Sequence, residues 1–128
     1  MNGKPWGVWL RRAKSNLARA ELGKQVEDIL YEDLCFDAQQ AVEKALKGLM
    51  VFLGIDVPKT HSVGYLLKSI EASGKVAVPE NLREAALLTD YAVTARYPGD
   101  WEPVGESEYE HAVNLAHDVC WWVISVAK

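Results

Sequence analysis

Residues that could bind a phosphate or stack on a base occur in two predicted loops. The first is Lys59-Thr60-His61, which places an ammonium group and an imidazole at the expected start of a helix. Free backbone N–H groups at a helix start attract anions, so an anion site is one interpretation. The other is that His61 caps the loop or hydrogen-bonds a neighbouring helix, and this structural role is favoured.

The second loop contains Arg96-Tyr97, followed closely by Asp100 and Trp101. A guanidinium group and aromatic rings on one loop could clamp a phosphate and stack a base. Arg96 could equally form an ion pair with an acid of the predicted central helix, such as Glu43 or Asp37, and hold the loop in place. The residue types support both interpretations equally.

The long stretch Tyr31 to Leu53 must position these loops. It contains neither Pro nor an internal break, and its apolar residues fall on one broad helical face, so it is predicted to be the central helix. Glu43 precedes Lys47 by four residues, the favourable order for a helix ion pair. The polar side carries a stripe at helical spacing: Asp33, Asp37, Gln40, Lys44 and Lys47.

Four more helices are predicted from apolar residues that recur at three- and four-residue spacing. The first helix is expected to run from Trp6 or Gly7 to Leu22, and the third is expected to be capped by Thr60 or Ser62 and to end near Gly74. The fourth is expected to run from Glu80 to about Ala95. The fifth is expected to run from about Ser107, with Glu110 as its capping-box partner, to about Ala127. No stretch shows the period-two alternation of a strand. The sequence therefore predicts one all-α domain, residues 1–128, folded as an up-and-down bundle of four or five helices.

Two hydrophobic residues of the central helix, Phe36 and Met50, lie beside Gln39 and Glu43 instead of on the apolar face. The second half of the last helix is also apolar nearly all round. A bundle of this size cannot bury all of these surfaces in one chain. We therefore predict a homodimer, with Phe36 and Met50 in the dimer contact.

The charges are distributed unevenly along the chain. The net charge is -4, yet the first 25 residues hold six basic side chains and a single acid, Glu21. A basic first helix either faces nucleic acid or docks on the acidic remainder of the chain, and docking is favoured. No signal peptide or membrane-spanning run is visible, so a cytoplasmic protein without a membrane partner is expected.

Metal and cofactor chemistry have little support in the sequence. The histidines, His61, His111 and His117, form neither an HExxH motif nor a cluster with cysteine. The two cysteines, Cys35 and Cys120, are expected to be buried free thiols. We expect no metal site, no cofactor and no glycine-rich phosphate loop.

Three segments, CFDAQQAVEKALKGLMVFLG, PKTHSVGYLL and DYAVTARYPGDW, together resemble the HEPN domain family over essentially the whole chain. The resemblance implies a dimeric helical bundle, often paired with a small nucleotidyltransferase in a toxin–antitoxin-like arrangement. It also implies nucleotide or partner contacts by a set of polar positions: Gln40, Lys44, His61, Arg96 and Tyr97. Asp37 departs from the family pattern, which often has His at this position.

Ribonucleases that the family includes carry an Arg followed four to six residues later by a His, and this chain has no such pair. Without a positioned base and a cation, RNA cleavage loses the contributions that make it fast. No catalytic residue is therefore assigned, and a non-catalytic, nucleotide-binding or accessory role is favoured. The alternatives are a ribonuclease with a non-standard site, such as Arg96 with His61 or His117, and a purely structural interaction module.

Overall fold

The computed structural model describes residues 4–92 and 103–127. Every regular element in these two ranges is a helix, which confirms the all-α prediction. The α-helices are α1 (Pro5–Leu22), α2 (Tyr31–Leu53), α3 (Val63–Ala72) and α4 (Glu106–Val126), and a 3₁₀ helix, Glu80–Ala92, lies between α3 and α4. None of the helices in the described ranges is long and apolar enough to cross a membrane.

Helices α1 and α2 pack antiparallel, as side-chain contacts at both ends show. The rings of Trp6 and Phe52 meet edge to face with centroids 5.0 Å apart. Toward the other end of α1, the Arg19 guanidinium pairs with Asp37. The bounds predicted for the central helix are confirmed, and α1 begins one residue earlier than expected because Pro5 suits the first helical position.

Helices α1 and α2 approach each other closely at Gly48. A Cβ atom on this residue would lie 2.9 Å from Trp9 Cβ and 3.1 Å from Leu10 Cδ2. Side chains cannot normally approach each other this closely, so a residue without a Cβ lets the two helices meet here.

The loop after α2 brings His61 back to the first half of that helix. Gly54 ends α2 in the left-handed conformation, and its N–H reaches the carbonyls of Met50 and Val51. Gln39 Nε2 then donates to the His61 carbonyl at 3.4 Å. Ser62 caps α3 by accepting a hydrogen bond from the Tyr65 N–H, which confirms one of the two predicted caps.

Two predicted helix details are wrong. The segment from Glu80 is a 3₁₀ helix instead of an α-helix, and its buried residues, Leu82, Ala85 and Leu88, recur every three residues, the repeat of a 3₁₀ turn. The last helix begins at Glu106 with Gly105 as its cap, so the capping box starting at Ser107 does not form. The predicted end of the fourth helix, near Ala95, lies outside the described residues.

The buried core confirms the prediction for the cysteines and corrects the one for Met50. Cys35 and Cys120 are both buried free thiols, and burial raises the pKa of each to about 12. Met50 is only 1% exposed, because it packs inside the chain's own core, so it is not available for a dimer contact. Phe36 is 37% exposed, and its role in a dimer stays a prediction.

Candidate functional site

The polar side of α2 is largely buried in the chain instead of facing water. Asp37, Glu43 and Lys47 are all buried, and Gln39 is fully enclosed. Buried charged groups are stable only when they are paired and hydrogen-bonded. These residues and their partners form two neighbouring groups of hydrogen bonds along α2, which together we call the polar network. Its members come from α1, α2 and the loop before α3: Asn16, Arg19, Asp37, Gln39, Gln40, Glu43, Lys44, Lys47 and His61.

The first half of the network connects α1 to α2 through Asp37. Asp37 Oδ1 accepts hydrogen bonds from Asn16 Nδ2 at 2.9 Å and from Arg19 Nη2 at 2.6 Å. The hydrogen bond to Asp37 raises the pKa of Arg19. Asn16 uses its other side-chain atom, Oδ1, to accept from Lys44 Nζ at 2.7 Å. One carboxylate and one amide thus hold two cations side by side.

Lys44 lies in an electropositive position. Burial lowers its pKa, and the nearby charges of Arg12 and Arg19 lower it further, while Glu43 and Asp37 act in the opposite direction. Among the described residues, its hydrogen-bond acceptor is the neutral Asn16 amide, and it makes no direct ion pair with a carboxylate. An ammonium group in this situation retains N–H donors for an anion from solution.

The second half of the network is centred on the Glu43 carboxylate. It accepts from Gln39 Nε2 at 3.0 Å, from Lys47 Nζ at 2.9 Å and from His61 Nδ1 at 2.9 Å. Burial alone would raise the pKa of Glu43, but the hydrogen bonds from Gln39, His61 and Lys47 outweigh it and hold the pKa below its usual value. Glu43 is therefore the ionised centre that joins α2 to the loop before α3.

His61 makes the structural hydrogen bond favoured from the sequence. An ionised carboxylate only accepts, so Nδ1 carries the proton in the bond to Glu43. The other ring nitrogen, Nε2, remains for solvent or a ligand, because the side chain is 73% exposed. The pair thus has a buried carboxylate behind an exposed imidazole.

The structure places three of the predicted site residues, Gln40, Lys44 and His61, in the polar network. Gln40 Nε2 donates to Gln39 Oε1 at 2.8 Å, so it reaches the second half of the network through Gln39. The other two predicted site residues, Arg96 and Tyr97, lie outside the described residues.

Sequence reasoning did not assign Asn16, Arg19, Gln39 or Glu43 to the site. One signal for Asn16 was present, since it lies among the buried residues of α1 between Ala13 and Leu17. A polar residue on an apolar face needs a partner, and Asp37 and Lys44 provide it.

The contacts of the network leave few groups for metal binding. In residues 4–92 and 103–127, no three His, Cys, Asp or Glu side chains come close enough to form a metal site. In the same ranges, every buried side-chain nitrogen or oxygen has a hydrogen-bond partner. At the surface, the polar network presents the His61 imidazole, oriented by Glu43, and a group of cations that we call the positive edge: Arg12, Arg19 and Lys44.

The fold and this site define an all-α bundle whose central helix carries a buried polar network. A family model described as the HEPN domain matches residues 6–126. The chain belongs to the HEPN family.

Three solved structures resemble this chain over nearly its full length. TT1696 from Thermus thermophilus is 38% identical with a TM-score of 0.78, and the match covers 94% of this chain and 96% of that one. ST0689, an archaeal HEPN homologue, is 28% identical with a TM-score of 0.76 and coverage of 98% and 99%. A HEPN domain protein from Thermotoga maritima is 26% identical with a TM-score of 0.70 and coverage of 93% and 96%. No curated protein gave a significant match.

Proposed function

We propose that this HEPN protein is a non-catalytic cytoplasmic protein that binds the phosphate groups of a nucleotide. It acts either alone or as the accessory protein of a small nucleotidyltransferase. The observation that supports this most is the positive edge of the polar network. There, the charges of Arg12 and Arg19 both act on the Lys44 ammonium, and Asp37 is the carboxylate that pairs with Arg19.

A phosphate group would relieve this excess of positive charge. Arg19 directs Nε and Nη2 toward Asp37, which leaves N–H groups on the other side of its guanidinium for a second acceptor. Lys44 is fixed by Asn16, so little side-chain entropy is lost when it binds an anion. Charge-assisted hydrogen bonds of this kind are among the stronger polar contacts in proteins.

The remaining residues of the proposed site have different roles. Gln40 and His61 would supply further hydrogen bonds beside the phosphates. Arg96 and Tyr97 enter from the family resemblance, as a second phosphate contact and a surface on which the base stacks. The same resemblance is the basis for the nucleotidyltransferase partner, to which the bound nucleotide would be presented.

Titration calorimetry with ATP and GTP tests the proposed binding. Arg12→Ala and Lys44→Gln are each expected to weaken binding by about tenfold, which corresponds to about 1.4 kcal/mol for one lost charged contact. Lys44→Gln keeps a donor for Asn16, so the change in charge is separated from a change in packing.

The matched control is Lys68→Ala, because Lys68 is an exposed lysine on α3, which does not contact α1. It should bind as the unchanged protein does. If the protein binds no nucleotide, either alone or with a nucleotidyltransferase encoded beside it, the proposal is wrong. Equal losses in Lys44→Gln and Lys68→Ala would mean that binding depends only on net charge.

The Glu43–His61 pair supports a second candidate function, RNA cleavage at a non-standard site. A carboxylate that orients an imidazole is the usual arrangement behind a general base. If this candidate is correct, purified protein should cleave RNA, and His61→Ala should abolish cleavage, whereas His117→Ala should not. Absence of cleavage, or cleavage that survives in His61→Ala, excludes the site.

A further inference from the structure

Lys44 combines two properties: a hydrogen bond holds its side chain in place, and among the described residues it forms no ion pair. It is also partly exposed. Lys47, three residues later on α2, is buried and paired with Glu43. Lys68 on α3 is exposed to solvent. Lys44 therefore differs both from a paired lysine and from a solvated one.

The hydrogen bond to Asn16 holds the Lys44 nitrogen whether or not it is charged. Lys44 Nζ lies 2.7 Å from Asn16 Oδ1, and Asn16 Nδ2 donates to Asp37 at 2.9 Å, so the amide oxygen is the atom that faces the lysine. An amide oxygen only accepts, and it takes one N–H from an ammonium group or from a neutral amine alike. The electron pair of the neutral amine then points away from Asn16, toward a position where an electrophile could approach.

The surroundings of Lys44 favour this neutral form. Burial and the charges of Arg12 and Arg19 lower its pKa. A lysine beside other cations is a better nucleophile at neutral pH than a lysine in water, because more of it is deprotonated. The same two guanidinium groups attract anions, so they would bring a reagent that carries a phosphate to the amine.

We propose that Lys44 is an acylation site for mixed anhydrides of a carboxylic acid and a phosphate, and that its acylation switches off the positive edge. Arg12 and Arg19 hold the phosphate of the reagent, which places its carbonyl carbon beside Nζ. A bound phosphate offsets part of the effect of the two cations on the amine. Holding the reacting groups together outweighs this, because one pKa unit changes the neutral fraction by about tenfold, whereas effective molarities of oriented groups reach about 10⁵ M or more.

The acylation step needs no other reactant. The Lys44 ammonium gives one proton to solvent, and the electron pair of the amine attacks the carbonyl carbon, so that a C–N bond forms. The bond between this carbon and the bridging oxygen breaks, and the phosphate leaves with that electron pair. The second proton of the amine goes to the departing phosphate. Arg12 and Arg19 stabilise the negative charge that the phosphate gains as it leaves.

The loss of function on acylation rests on the proposed nucleotide binding. An amide at Lys44 has no charge, so acetylated protein should bind ATP about tenfold more weakly, as expected for Lys44→Gln. Titration calorimetry before and after acetylation measures this, and unchanged affinity at full acetylation of Lys44 overturns the switch. Acylation itself is measured without nucleotide. If the protein binds no ATP, the proposed function fails, whereas the acylation site is judged by the rates that follow.

Mass spectrometry of the whole protein treated with acetyl phosphate tests the site. Digestion after glutamate releases residues 44–71, a peptide that carries Lys44, Lys47 and Lys68. Lys44 should be acetylated at least about tenfold faster than Lys68, and Lys47 should stay unmodified because it is buried and paired. Acetylation of Lys44 no faster than that of Lys68 overturns the proposal.

The part played by the phosphate is tested with a variant and with other reagents. Arg12→Gln is at an exposed position and should slow acetylation of Lys44 about tenfold while leaving Lys68 unchanged. An uncharged acetyl thioester should show a much smaller preference for Lys44 in the unchanged protein. An unaffected preference in Arg12→Gln, or an equal preference with the thioester, means that the arginines do not hold the reagent and the proposal is wrong.

Acetyl adenylate carries the same mixed anhydride on a nucleotide, so it distinguishes two sources of the acyl group. Faster reaction at Lys44 with acetyl adenylate than with acetyl phosphate assigns the site to nucleotide-linked anhydrides, and the reverse order assigns it to free acyl phosphates. Either order supports acylation at Lys44. If neither reagent prefers Lys44 to Lys68, the proposal is wrong.

Discussion

Replacing Glu43 by Ala should lower the free energy of unfolding by about 3–5 kcal/mol, the usual cost of removing one partner of a buried ion pair. The Glu43 and Lys47 side chains are only 7% and 11% exposed. Without the carboxylate, the Lys47 ammonium stays in a buried position and has no hydrogen-bond acceptor among the residues that the structure describes. Gln39 and His61 lose the same acceptor. Urea unfolding followed by circular dichroism measures the change.

Two further variants separate the cost of an unpaired charge from the value of the pair itself. Lys47→Met should cost less than Glu43→Ala, because the remaining carboxylate still accepts from Gln39 and His61. The double variant Glu43→Leu with Lys47→Met should recover much of the lost stability, since apolar replacement of a buried pair is often close to neutral. A loss in Glu43→Ala below about 1 kcal/mol would show that the pair is effectively hydrated, as surface pairs are.

The lowered pKa of Glu43 also predicts how the free energy of unfolding depends on pH. Its pKa in the folded protein lies below the ordinary value of 4.5, so the unfolded chain takes up the proton first as the solution is acidified. The stabilisation from Glu43 is fully present when the pH is above the ordinary pKa of the unfolded chain. It is lost as the pH falls through the pKa of Glu43 in the folded protein. The double apolar variant should lack this part of the acid dependence, and an identical pH profile in both proteins would contradict the assignment.

We expect a second large loss of stability when Gly48 is replaced. Gly48→Ala should lower the free energy of unfolding by about 1–2 kcal/mol even though Ala favours a helix by about 1 kcal/mol over Gly. The reason is overpacking, since the new Cβ would lie 2.9 Å from Trp9 Cβ, an atom next to the backbone that can move only with α1. Gly48→Val adds two more carbons and should cost about 3 kcal/mol or more.

Gly64→Ala is the matched control for this prediction. Gly64 is also inside a helix, but its added Cβ would meet Ala86 Cβ at 3.5 Å, an ordinary contact. The control should therefore be neutral or stabilising by up to about 1 kcal/mol. If Gly48→Ala is stabilising to the same extent as Gly64→Ala, α1 and α2 are not packed as closely as the structure has them.

Much of the fold followed from helical periodicity, because the central helix has a strong apolar face and clear ends. The error at Glu80–Ala92 arose because apolar spacing of three and four residues is shared by α and 3₁₀ turns over short lengths. Met50 was misplaced for a different reason. A helix enclosed by several neighbours buries more than one face, and the number of neighbours cannot be counted from the periodicity of the helix itself.

The site was predictable only where a contact is local in the sequence. The Glu43–Lys47 pair follows from a four-residue spacing and was found. Asn16 and His61 meet α2 across 21 and 18 residues respectively, and no spacing rule connects them to Asp37 or Glu43. Such contacts depend on how α1 docks and on the path of the loop after α2, which only the three-dimensional structure gives.

The unequal contacts of Glu43 and Lys47 also constrain how this protein can change over evolutionary time. If Lys47 is replaced first, the Glu43 carboxylate still accepts hydrogen bonds from Gln39 and His61. If Glu43 is replaced first, the Lys47 ammonium has no acceptor among the described residues. A lineage that exchanges this pair for apolar residues would therefore pass through the loss of the lysine. Intermediate sequences with a neutral residue at position 47 and Glu43 retained should outnumber those with the opposite combination.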